Sequence, residues 1–449
     1  MIVMKFGGTS VESAEAIRRV AGIVQARLDR HPVVVVSAMG KTTNKLLAIA
    51  AAAVAGELDR ALTLLGELRA FHLAEAQGLD LDARIQEHFA ELEALVRGLA
   101  VMGELTPRAT DAVSALGERL SSIVVAAQFR RCGMDTAHVD SRSVVVTDRR
   151  HTQAAPLFPQ TNERLQKVVP PLAEKQVVVM GGFIASTEDG VTSTLGRGGS
   201  DYTASIVGAG IGAEEIQIWT DVDGMLTADP TILPGGHRVK VCSFAEAAEL
   251  AYFGAKVLHP ATVLPAIEKN IPVRILNSRR AESPGTLIVK TPPASTSPIR
   301  SIACKKNITL VNIVSTRMLM AHGFLRRIFE VFDRFETPVD MLATSEVSVS
   351  LTIDNTGSME AICAELSTFA DVTVQDGQSI VCLVGENIRE SGTVAARAFT
   401  ALNGIKIRMV SQGASQLNLS LVVDAADLTR SVELLHREFF TNFDPEAFE

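Results

Sequence analysis

The sequence predicts an α/β protein in which a mainly parallel sheet, covered by helices on both faces, is followed by two small α+β units of the βαββαβ type. Three observations predict this class. Short apolar runs alternate with helical patterns over roughly the first 290 residues, and a segment rich in Pro, Ser and Thr follows at 291–300. After that segment, two stretches recur with a spacing of 70 residues, from 309 to 379 and from 351 to 421.

The first part of the chain contains six apolar runs that we predict to be the strands of the sheet. They are Val3–Phe6, Pro32–Ala38, Thr136–Asp140, Val177–Phe183, Ile216–Val222 and Pro272–Ser278. Residues 45–131 have apolar side chains at helical spacing almost throughout. We therefore expect a long helical insertion that forms one wall of a cleft.

The second part of the chain is an internal repeat. TLVNIVS at 309 is matched by SIVCLVG at 379, and LTID at 351 is matched by LVVD at 421. The second copy lacks a final strand, whereas SIACKKN at 301–307 is a spare one, so an exchange of strands between the copies is one arrangement to expect. The predicted domains are a catalytic domain at 1–290, a linker at 291–300, and repeat units at 301–378 and 379–449.

The charge balance excludes several classes of function. The chain has 43 Lys and Arg against 51 Asp and Glu, a net charge of −8, so no basic excess exists for non-specific binding of nucleic acid or of a membrane surface. The start, MIVMKFGG, has no features of a signal peptide. The five cysteines are scattered without a C-x-x-C pair, which favours reduced thiols and a cytoplasmic protein.

A strand that runs into VVVVSAMGKTTNK at 33–45 resembles a phosphate-binding loop at first sight. The Walker pattern requires a glycine where Val35 stands, so the backbone cannot wrap a phosphate in that manner. GAGIGA at 208–213 matches a dinucleotide pattern but precedes a strand, which is the wrong order. The composition of the turn SAMGKTT at 37–43 still indicates that a polar, anionic ligand binds at the end of this strand.

Two glycine-rich turns are the strongest local candidates for anion binding. In KFGGTS, Lys5 ends the first strand, and Gly7 and Gly8 allow a ligand to approach the backbone closely. In TLGRGGSDYTAS at 194–205, Arg197 and the residues after it precede a helix, so backbone N–H groups and a guanidinium can share one anion. The alternatives are an ordinary strand–turn–helix and a capped hairpin tip.

Taken in order, KFGGTS, GRGGSD, WTDVDG and FGAKVLHP before a tandem repeat resemble the monofunctional aspartate kinases of the amino-acid kinase family, lysine-sensitive type, with two C-terminal ACT domains. The resemblance implies the three-layer amino-acid kinase fold. It implies transfer of the γ-phosphoryl group of ATP to the β-carboxylate of L-aspartate, with Mg²⁺. This reaction is the first step in the biosynthesis of lysine, threonine and methionine.

The resemblance also implies the residues of the active site. It assigns Lys5 and Asp201 as catalytic residues, with no metal ligand among the side chains. The implied aspartate-binding residues are Ser37, Thr43, Glu118, Arg197 and Ser200. The implied ATP-binding residues are Lys5, Gly7, Gly8, Thr220, Asp221, Lys256 and Val257.

For the first ACT copy the resemblance implies an allosteric effector site, with lysine favoured and threonine left open. Its implied residues are Met318, Gly323, Phe324, Leu325, Val339, Asp340, Thr344, Ser345 and Glu346. A homodimer through the ACT domains is expected, and a tetramer stays open. Two other functions also stay open: another amino-acid acyl-phosphate kinase, and an amino-acid sensor without catalysis.

Overall fold

The computed structural model describes residues 1–254, 260–315 and 322–449. The chain divides into two compact units, each built from two segments. The first unit comprises Met1–Met225 and Val257–Pro292, and the second comprises Leu226–Lys256 and Pro293–Glu449. Contacts thus assign Leu226–Lys256 to the second unit, while the domain boundaries drawn from the sequence stay a prediction.

Strands and helices alternate along the described residues. The strands are β1 (Ile2–Phe6), β2 (Pro32–Val36), β3 (Thr136–Val139), β4 (Val146–Thr147), β5 (Val177–Gly181), β6 (Ile184–Thr187), β7 (Thr192–Thr194), β8 (Glu215–Thr220), β9 (Val241–Ser243), β10 (Val273–Asn277), β11 (Thr286–Val289), β12 (Ser301–Val314), β13 (Met341–Thr344), β14 (Ser348–Ile353), β15 (Asp371–Val384), β16 (Ile407–Gln412) and β17 (Asn418–Asp424). The α-helices are α1 (Ala14–Gln25), α2 (Thr42–Val54), α3 (Leu58–Glu75), α4 (Asp82–Met102), α5 (Pro107–Ser114), α6 (Leu116–Arg131), α7 (Phe158–Ala173), α8 (Gly199–Ile211), α9 (Phe244–Tyr252), α10 (Leu264–Glu268), α11 (Phe324–Arg334), α12 (Met359–Leu366), α13 (Gly392–Ala401) and α14 (Leu428–Phe440).

The central sheet of the first unit has the strand order β3-β5-β2-β1-β8-β10-β11. Every pair is parallel except the last, in which β10 and β11 are antiparallel. Every residue of β1 and of β2 is buried. Continuous apolar runs such as PVVVV are the pattern expected for parallel strands covered on both faces, and the predicted α/β class is confirmed.

Helices cover both faces of this sheet. Ile2, Met4 and Phe6 belong to a buried cluster that includes residues of each helix from α1 to α6. On the other face, α7 contacts β5 and α8 contacts β1. The side chains of successive strand residues point to opposite faces, so one strand contributes to both cores.

All six predicted strands are present, and most end one or two residues earlier than predicted. β2, for example, ends at Val36, and the backbone N–H of Ala38 donates to the side chain of Glu118 instead of to a neighbouring strand. Between β2 and β3 the chain forms the five helices α2 to α6, in the range where the sequence predicts a helical insertion.

The second unit contains both copies of the repeat. β12 and β15 begin at 301 and 371, and β14 and β17 begin at 348 and 418, so equivalent strands lie 70 residues apart. The strand order of its six-stranded sheet is β13-β14-β12-β15-β17-β16. Helices α11 and α12 pack their apolar side chains on β12 and β14 in a separate buried cluster.

The two long strands β12 and β15 join the copies. Residues Ser301–Lys305 of β12 pair antiparallel with Ile380–Val384 of β15, on the side of the second copy. The later part of β12 pairs with the first part of β15, and the register shifts between the two parts. Asn307 and Gly377 have positive φ at this irregularity. The N-terminal part of β12 therefore occupies the position of a fourth strand in the sheet of the second copy.

No helix among the described residues is both long enough and apolar enough to span a bilayer.

Candidate active site

A cavity of about 260 Å³ lies where the strands of the first unit end. It is lined by Lys5, Ser37, Thr43, Glu118, Phe183, Gly196, Gly198, Gly199, Ser200 and Asp201. Six of these residues were assigned from the sequence. They converge because the carboxyl ends of parallel strands meet at one edge of a sheet, where such folds bind ligands.

The centre of the cavity is an ion pair between Lys5 and Asp201. The Nζ atom of Lys5 lies 2.7 Å from Oδ1 of Asp201, and the two side chains are 11% and 17% exposed. Lys5 is held in β1, whereas Asp201 lies in the first turn of α8. The ammonium group is thus fixed in direction and keeps only a small opening toward solvent.

The loop before α8 depends on glycine for its shape. Gly196 and Gly198 have φ of 76° and 71°, values that favour glycine. A Cβ on Gly182 would lie 2.7 Å from the Cβ of Ser200, so a larger residue there would displace the start of α8. Phe183, which was not assigned from the sequence, covers Gly199 from the same side. The pair Gly181-Gly182 at the end of the apolar strand β5 was the available signal.

Glu118 supplies a buried carboxylate to the cavity. Its Oε1 accepts a hydrogen bond from the backbone N–H of Ala38 at 3.1 Å. Its Oε2 is buried and has no hydrogen-bond partner among the described residues. Burial raises the pKa of Glu118 to about 8, although the Ala38 N–H and the charge of Lys5 act in the opposite direction. An unpartnered buried carboxylate oxygen is suited to a ligand that brings a cation.

The turn after β2 lies against the first glycine-rich turn. The N–H of Gly40 donates to the carbonyl of Gly8 at 3.0 Å. A Cβ on Gly8 would lie 2.9 Å from the carbonyl oxygens of Ala38 and Gly40, so only glycine fits this position. Ser37 and Thr43 of this turn line the cavity, while Lys41 is exposed.

Asp111 supports the cavity from behind and was missed in the sequence. It is fully buried in α5 and accepts hydrogen bonds from His151 Nδ1 at 2.8 Å, from the N–H of Thr152 at 3.0 Å and from Thr194 Oγ1 at 2.5 Å. Thr194 directly precedes the glycine loop, and a Cβ on Gly196 would lie 3.0 Å from the Thr152 carbonyl. Asp111 thereby links the helical insertion to the loop, and no local motif marks it.

Arg197 lies at the exposed part of the same loop, between Gly196 and Gly198. It is not among the side chains that line the cavity, and within the described residues it forms no ion pair. The structure therefore places the guanidinium beside the cavity rather than inside it.

The residues assigned to ATP lie at the ends of β1 and β8. The N–H of Gly7 donates to the carbonyl of Trp219 at 3.1 Å, and Thr220 and the exposed Asp221 follow. The carbonyl of Thr220 accepts from Ser278, whose hydroxyl also lies 2.8 Å from that of Ser10. Two predicted ATP contacts, Lys256 and Val257, lie outside the described residues.

The predicted effector residues fall in two places of the second unit. Gly323, with φ of 79°, precedes α11, which starts with Phe324 and the partly exposed Leu325. The second group flanks or belongs to β13 and comprises Val339, Asp340, Thr344, Ser345 and Glu346, of which the last three are exposed. Met318 lies outside the described residues.

Asp340 is paired within the chain. Its Oδ1 lies 2.6 Å from Nζ of Lys305, which also lies 2.8 Å from a carboxylate oxygen of Asp354. The ring of Tyr252 lies 5.6 Å from the same ammonium group. Burial raises the pKa of Asp340, against the effect of Lys305. No local pattern reveals this pairing, because Lys305 is far from Asp340 and Asp354 along the chain.

Comparison with known proteins identifies two families along the chain. The amino acid kinase family matches residues 1–277, and the ACT domain matches residues 381–439. Aspartokinase 1, chloroplastic, from Arabidopsis thaliana is 39% identical, over 98% of this chain and 80% of that protein. Lysine-sensitive aspartokinase 3 from Escherichia coli (strain K12) is 36% identical, over 98% of this chain and 99% of that protein.

Solved structures give the same result for the fold. A structure of E. coli aspartokinase III in complex with lysine and aspartate (T-state) matches with a TM-score of 0.85 at 35% identity, over 98% of this chain and 99% of that chain. A structure of the same protein in complex with aspartate and ADP (R-state) has a TM-score of 0.83 at 35% identity, over 98% of this chain and 100% of that chain.

Proposed function

The chain belongs to the aspartokinases of the amino acid kinase family, and we propose that its first unit transfers the γ-phosphoryl group of ATP to the β-carboxylate of L-aspartate. The product is 4-phospho-L-aspartate. The observation that carries this proposal is the cavity that joins the Lys5–Asp201 ion pair to the free Oε2 of Glu118. One end suits a phosphoryl group and the other suits an amino acid.

The reaction requires no general base. A carboxylate with a pKa near ~4 is ionised at neutral pH and is itself the nucleophile. Its oxygen forms a bond to the γ-phosphorus while the bond to the bridging oxygen of ADP breaks, and no proton moves. Catalysis then consists of bringing two anions together and stabilising the charge on the phosphoryl oxygens.

Lys5 performs the electrostatic part of this task. Its ammonium group lies in a largely buried position, where a charge interacts more strongly than in water. Asp201 orients it by an ion pair from α8. We assign Lys5 to the migrating phosphoryl group and Asp201 to the orientation of Lys5.

The aspartate substrate is held by groups from several elements. Glu118 receives the α-ammonium group on Oε2, and this contact compensates the buried negative charge. Ser37, Thr43 and Ser200 offer hydroxyl groups to the carboxylates. Arg197 reaches the α-carboxylate from the exposed part of the loop, a movement that the two flanking glycines allow.

ATP lies at the ends of β1 and β8, with its phosphates toward Lys5. Gly7 and Gly8 admit the phosphates close to the backbone, and Thr220 and Asp221 contribute from β8. Within the residues that the structure describes, no group of three or more His, Cys, Asp or Glu is arranged to hold a metal ion. Mg²⁺ fits here as a partner of the nucleotide phosphates and of water, and would neutralise phosphate charge.

The second unit regulates the reaction. We propose that lysine binds at the first ACT copy near Asp340 and inhibits. Support comes from the E. coli relative that is named lysine-sensitive aspartokinase 3 and from the structure of E. coli aspartokinase III in complex with lysine and aspartate. Asp340 must then share its carboxylate between the effector and Lys305, and Asp354 keeps Lys305 paired meanwhile. We also propose that pairing of ACT units between two chains gives a homodimer. A cytoplasmic location is proposed from the sequence.

The test of the activity is identification of the product. An acyl phosphate reacts with hydroxylamine to give a hydroxamate, which mass spectrometry locates on the β-carboxyl group. We expect β-aspartyl hydroxamate from the full chain with ATP, Mg²⁺ and L-aspartate. No hydroxamate from folded protein would refute the proposed reaction and would favour a sensor without catalysis.

A further inference from the structure

A second cavity of the first unit, of about 200 Å³, lies outside the candidate active site and is rich in cationic side chains. It is lined by Arg84, His88, Arg119, Ser122, Ile123, His138, Asp140, Ser141, Arg142, Gly181 and Ile184. We call it the arginine–histidine cavity. Its residues come from α4, α6, the ends of β3 and β5, and the start of β6.

This cavity lies at the edge of the sheet where open α/β folds bind ligands. β3 and β5 are parallel neighbours whose carboxyl ends face the same edge as the end of β1. A Cβ on Gly181 would lie 3.1 Å from the carbonyl oxygen of Glu118, so these two residues form a thin wall between this cavity and the active site. Ser141 donates a hydrogen bond to the Gly181 carbonyl and fixes that wall.

The ionised groups of the cavity do not balance. Arg119 is paired with Glu91 through two contacts of 2.7 and 2.8 Å, and Arg142 is paired with Asp140 at 2.6 Å. Arg84 is exposed and has no carboxylate partner in the described part of the chain. Three guanidinium groups against two carboxylates leave one positive charge in excess.

The two histidines each present one ring nitrogen without a partner among the described residues. His88 Nδ1 lies 2.7 Å from the carbonyl of Arg84 and therefore donates to it. The Ser122 hydroxyl donates to the carbonyl of Arg119 and accepts from Nε2 of His138 at 3.0 Å. His88 Nε2 and His138 Nδ1 are left as the nitrogens that can take up a proton.

We propose that the arginine–histidine cavity binds a small oxyanion of the phosphate class, held by Arg84 and by the two imidazole rings. Oxyanions of this class are recognised by guanidinium and imidazolium donors through short, charge-assisted hydrogen bonds. The volume accommodates one phosphate group with water. This site is separate from the phosphoryl-transfer chemistry and does not depend on it.

Anion binding at this site is linked to proton uptake. Burial lowers the pKa of His138 to about 4, with a further decrease from Arg84, and burial is also the main cause of the lowered pKa of His88. Both rings are therefore neutral at pH 7 without a ligand. A bound anion raises both pKa values, so affinity increases as the pH falls toward the pKa values that the rings have without a ligand. The charged groups around the rings are Arg84, Glu91, Arg119, Arg130, Asp140 and Arg142.

The experiment is a calorimetric titration of the full chain with inorganic phosphate. The protein is saturated with Mg²⁺, a non-hydrolysable ATP analogue and L-aspartate, so the γ-phosphoryl position is filled and the phosphate probe does not enter the active site. Wild type is compared with Arg84→Gln and with Arg97→Gln, an exposed arginine on the same helix whose partner is Glu93. Histidine ring NMR on the same samples follows His88 and His138.

We expect one phosphate bound per chain, with a heat that depends on the ionisation enthalpy of the buffer and with shifts of both histidine rings. Arg84→Gln weakens binding by about tenfold or more, as expected for one lost charge-assisted contact, and Arg97→Gln leaves it unchanged. Absence of binding, or equal affinity of wild type and Arg84→Gln, would overturn the proposal. Tighter binding of succinate than of phosphate would overturn the assigned ligand class.

Discussion

The Nζ atom of Lys5 lies 2.7 Å from Oδ1 of Asp201, and this pair joins the end of β1 to the first turn of α8. The ammonium group is held before any substrate arrives, so no reorganisation is required when charge develops on a phosphoryl group. Preorganised charges of this kind commonly provide the largest share of catalysis. The proposed phosphoryl transfer depends first on this ion pair.

Replacement of Lys5 by alanine should lower kcat by about 10²–10³-fold, because a preorganised donor to the phosphoryl oxygens is lost. The chain should remain folded, since the mostly polar cavity tolerates the truncation, and circular dichroism checks this. Lys41→Ala is the matched control, because Lys41 is an exposed lysine in the neighbouring turn. Equal loss in both variants, or near-normal turnover of Lys5→Ala, would contradict the assigned role.

Glu118 predicts a pH dependence of aspartate binding. With its pKa raised to about 8, the carboxyl group is protonated at pH 7 in the free enzyme. The substrate ammonium favours the ionised form, so binding releases a proton, and the apparent affinity for aspartate should weaken as the pH falls below about 8. Calorimetry in two buffers of different ionisation enthalpy measures this release. Binding without proton release at pH 7 would be inconsistent with the contact.

The same group predicts the pH dependence of stability. The folded chain binds a proton on Glu118 between the ordinary carboxyl pKa and about 8, whereas the unfolded chain does not. The contribution of Glu118 to the free energy of unfolding is therefore present at low pH and is lost as the pH rises through about 8. Glu118→Gln should make the free energy of unfolding less dependent on pH over this range, as measured by urea denaturation. An unchanged slope would show that Glu118 is ionised in the folded protein.

Replacement of Asp111 by asparagine should reduce kcat/KM for aspartate by up to about 10²-fold, the cost of a misplaced binding group. The amide cannot accept from all three donors, so the loop that begins after Thr194 loses its support. The KM for aspartate should change more than the KM for ATP. Asp189→Asn, at an exposed turn, is the control. A loss of stability with unchanged kinetic constants would leave Asp111 with a purely structural role.

Replacement of Asp340 by asparagine should raise the lysine concentration for half-inhibition by about tenfold or more, because a charge-assisted contact to the effector is removed. Asp333→Asn, on the exposed face of α11, is the matched control. The assay is ADP release with lysine, with threonine and with both. Inhibition by threonine alone would contradict the assignment of lysine.

Much of the fold and of the cavity could be predicted from the sequence because the informative residues stand at strand ends. Lys5, Ser37 and Asp201 each lie in or beside a short motif that follows a strand or precedes a helix. The parallel order of the strands then brings them to one edge. The repeat was equally visible, since equivalent strands keep a constant spacing along the chain.

The features of the site that could not be predicted depend on contacts that no local sequence pattern reveals. Asp111 lies in an ordinary helix and meets Thr194 across 83 positions of the chain. Lys305 and Asp340 lie 35 positions apart and meet only because β12 and β13 belong to one sheet. Arg197 was assigned by its motif, but the side chain lies on the exposed part of the loop, since backbone conformation decides the direction of a side chain between two glycines.

The measurement that tests the central claim most directly is ADP release from ATP and Mg²⁺ by the full chain with L-aspartate, L-glutamate or N-acetyl-L-aspartate as the acceptor. The account predicts turnover with L-aspartate and little with the other two. N-acetylation removes the ammonium group that Glu118 receives. A glutamate held by the same ammonium contact carries its side-chain carboxylate one methylene beyond the position of the aspartate β-carboxylate. Equal turnover with N-acetyl-L-aspartate, or turnover that requires no acceptor, would contradict the account.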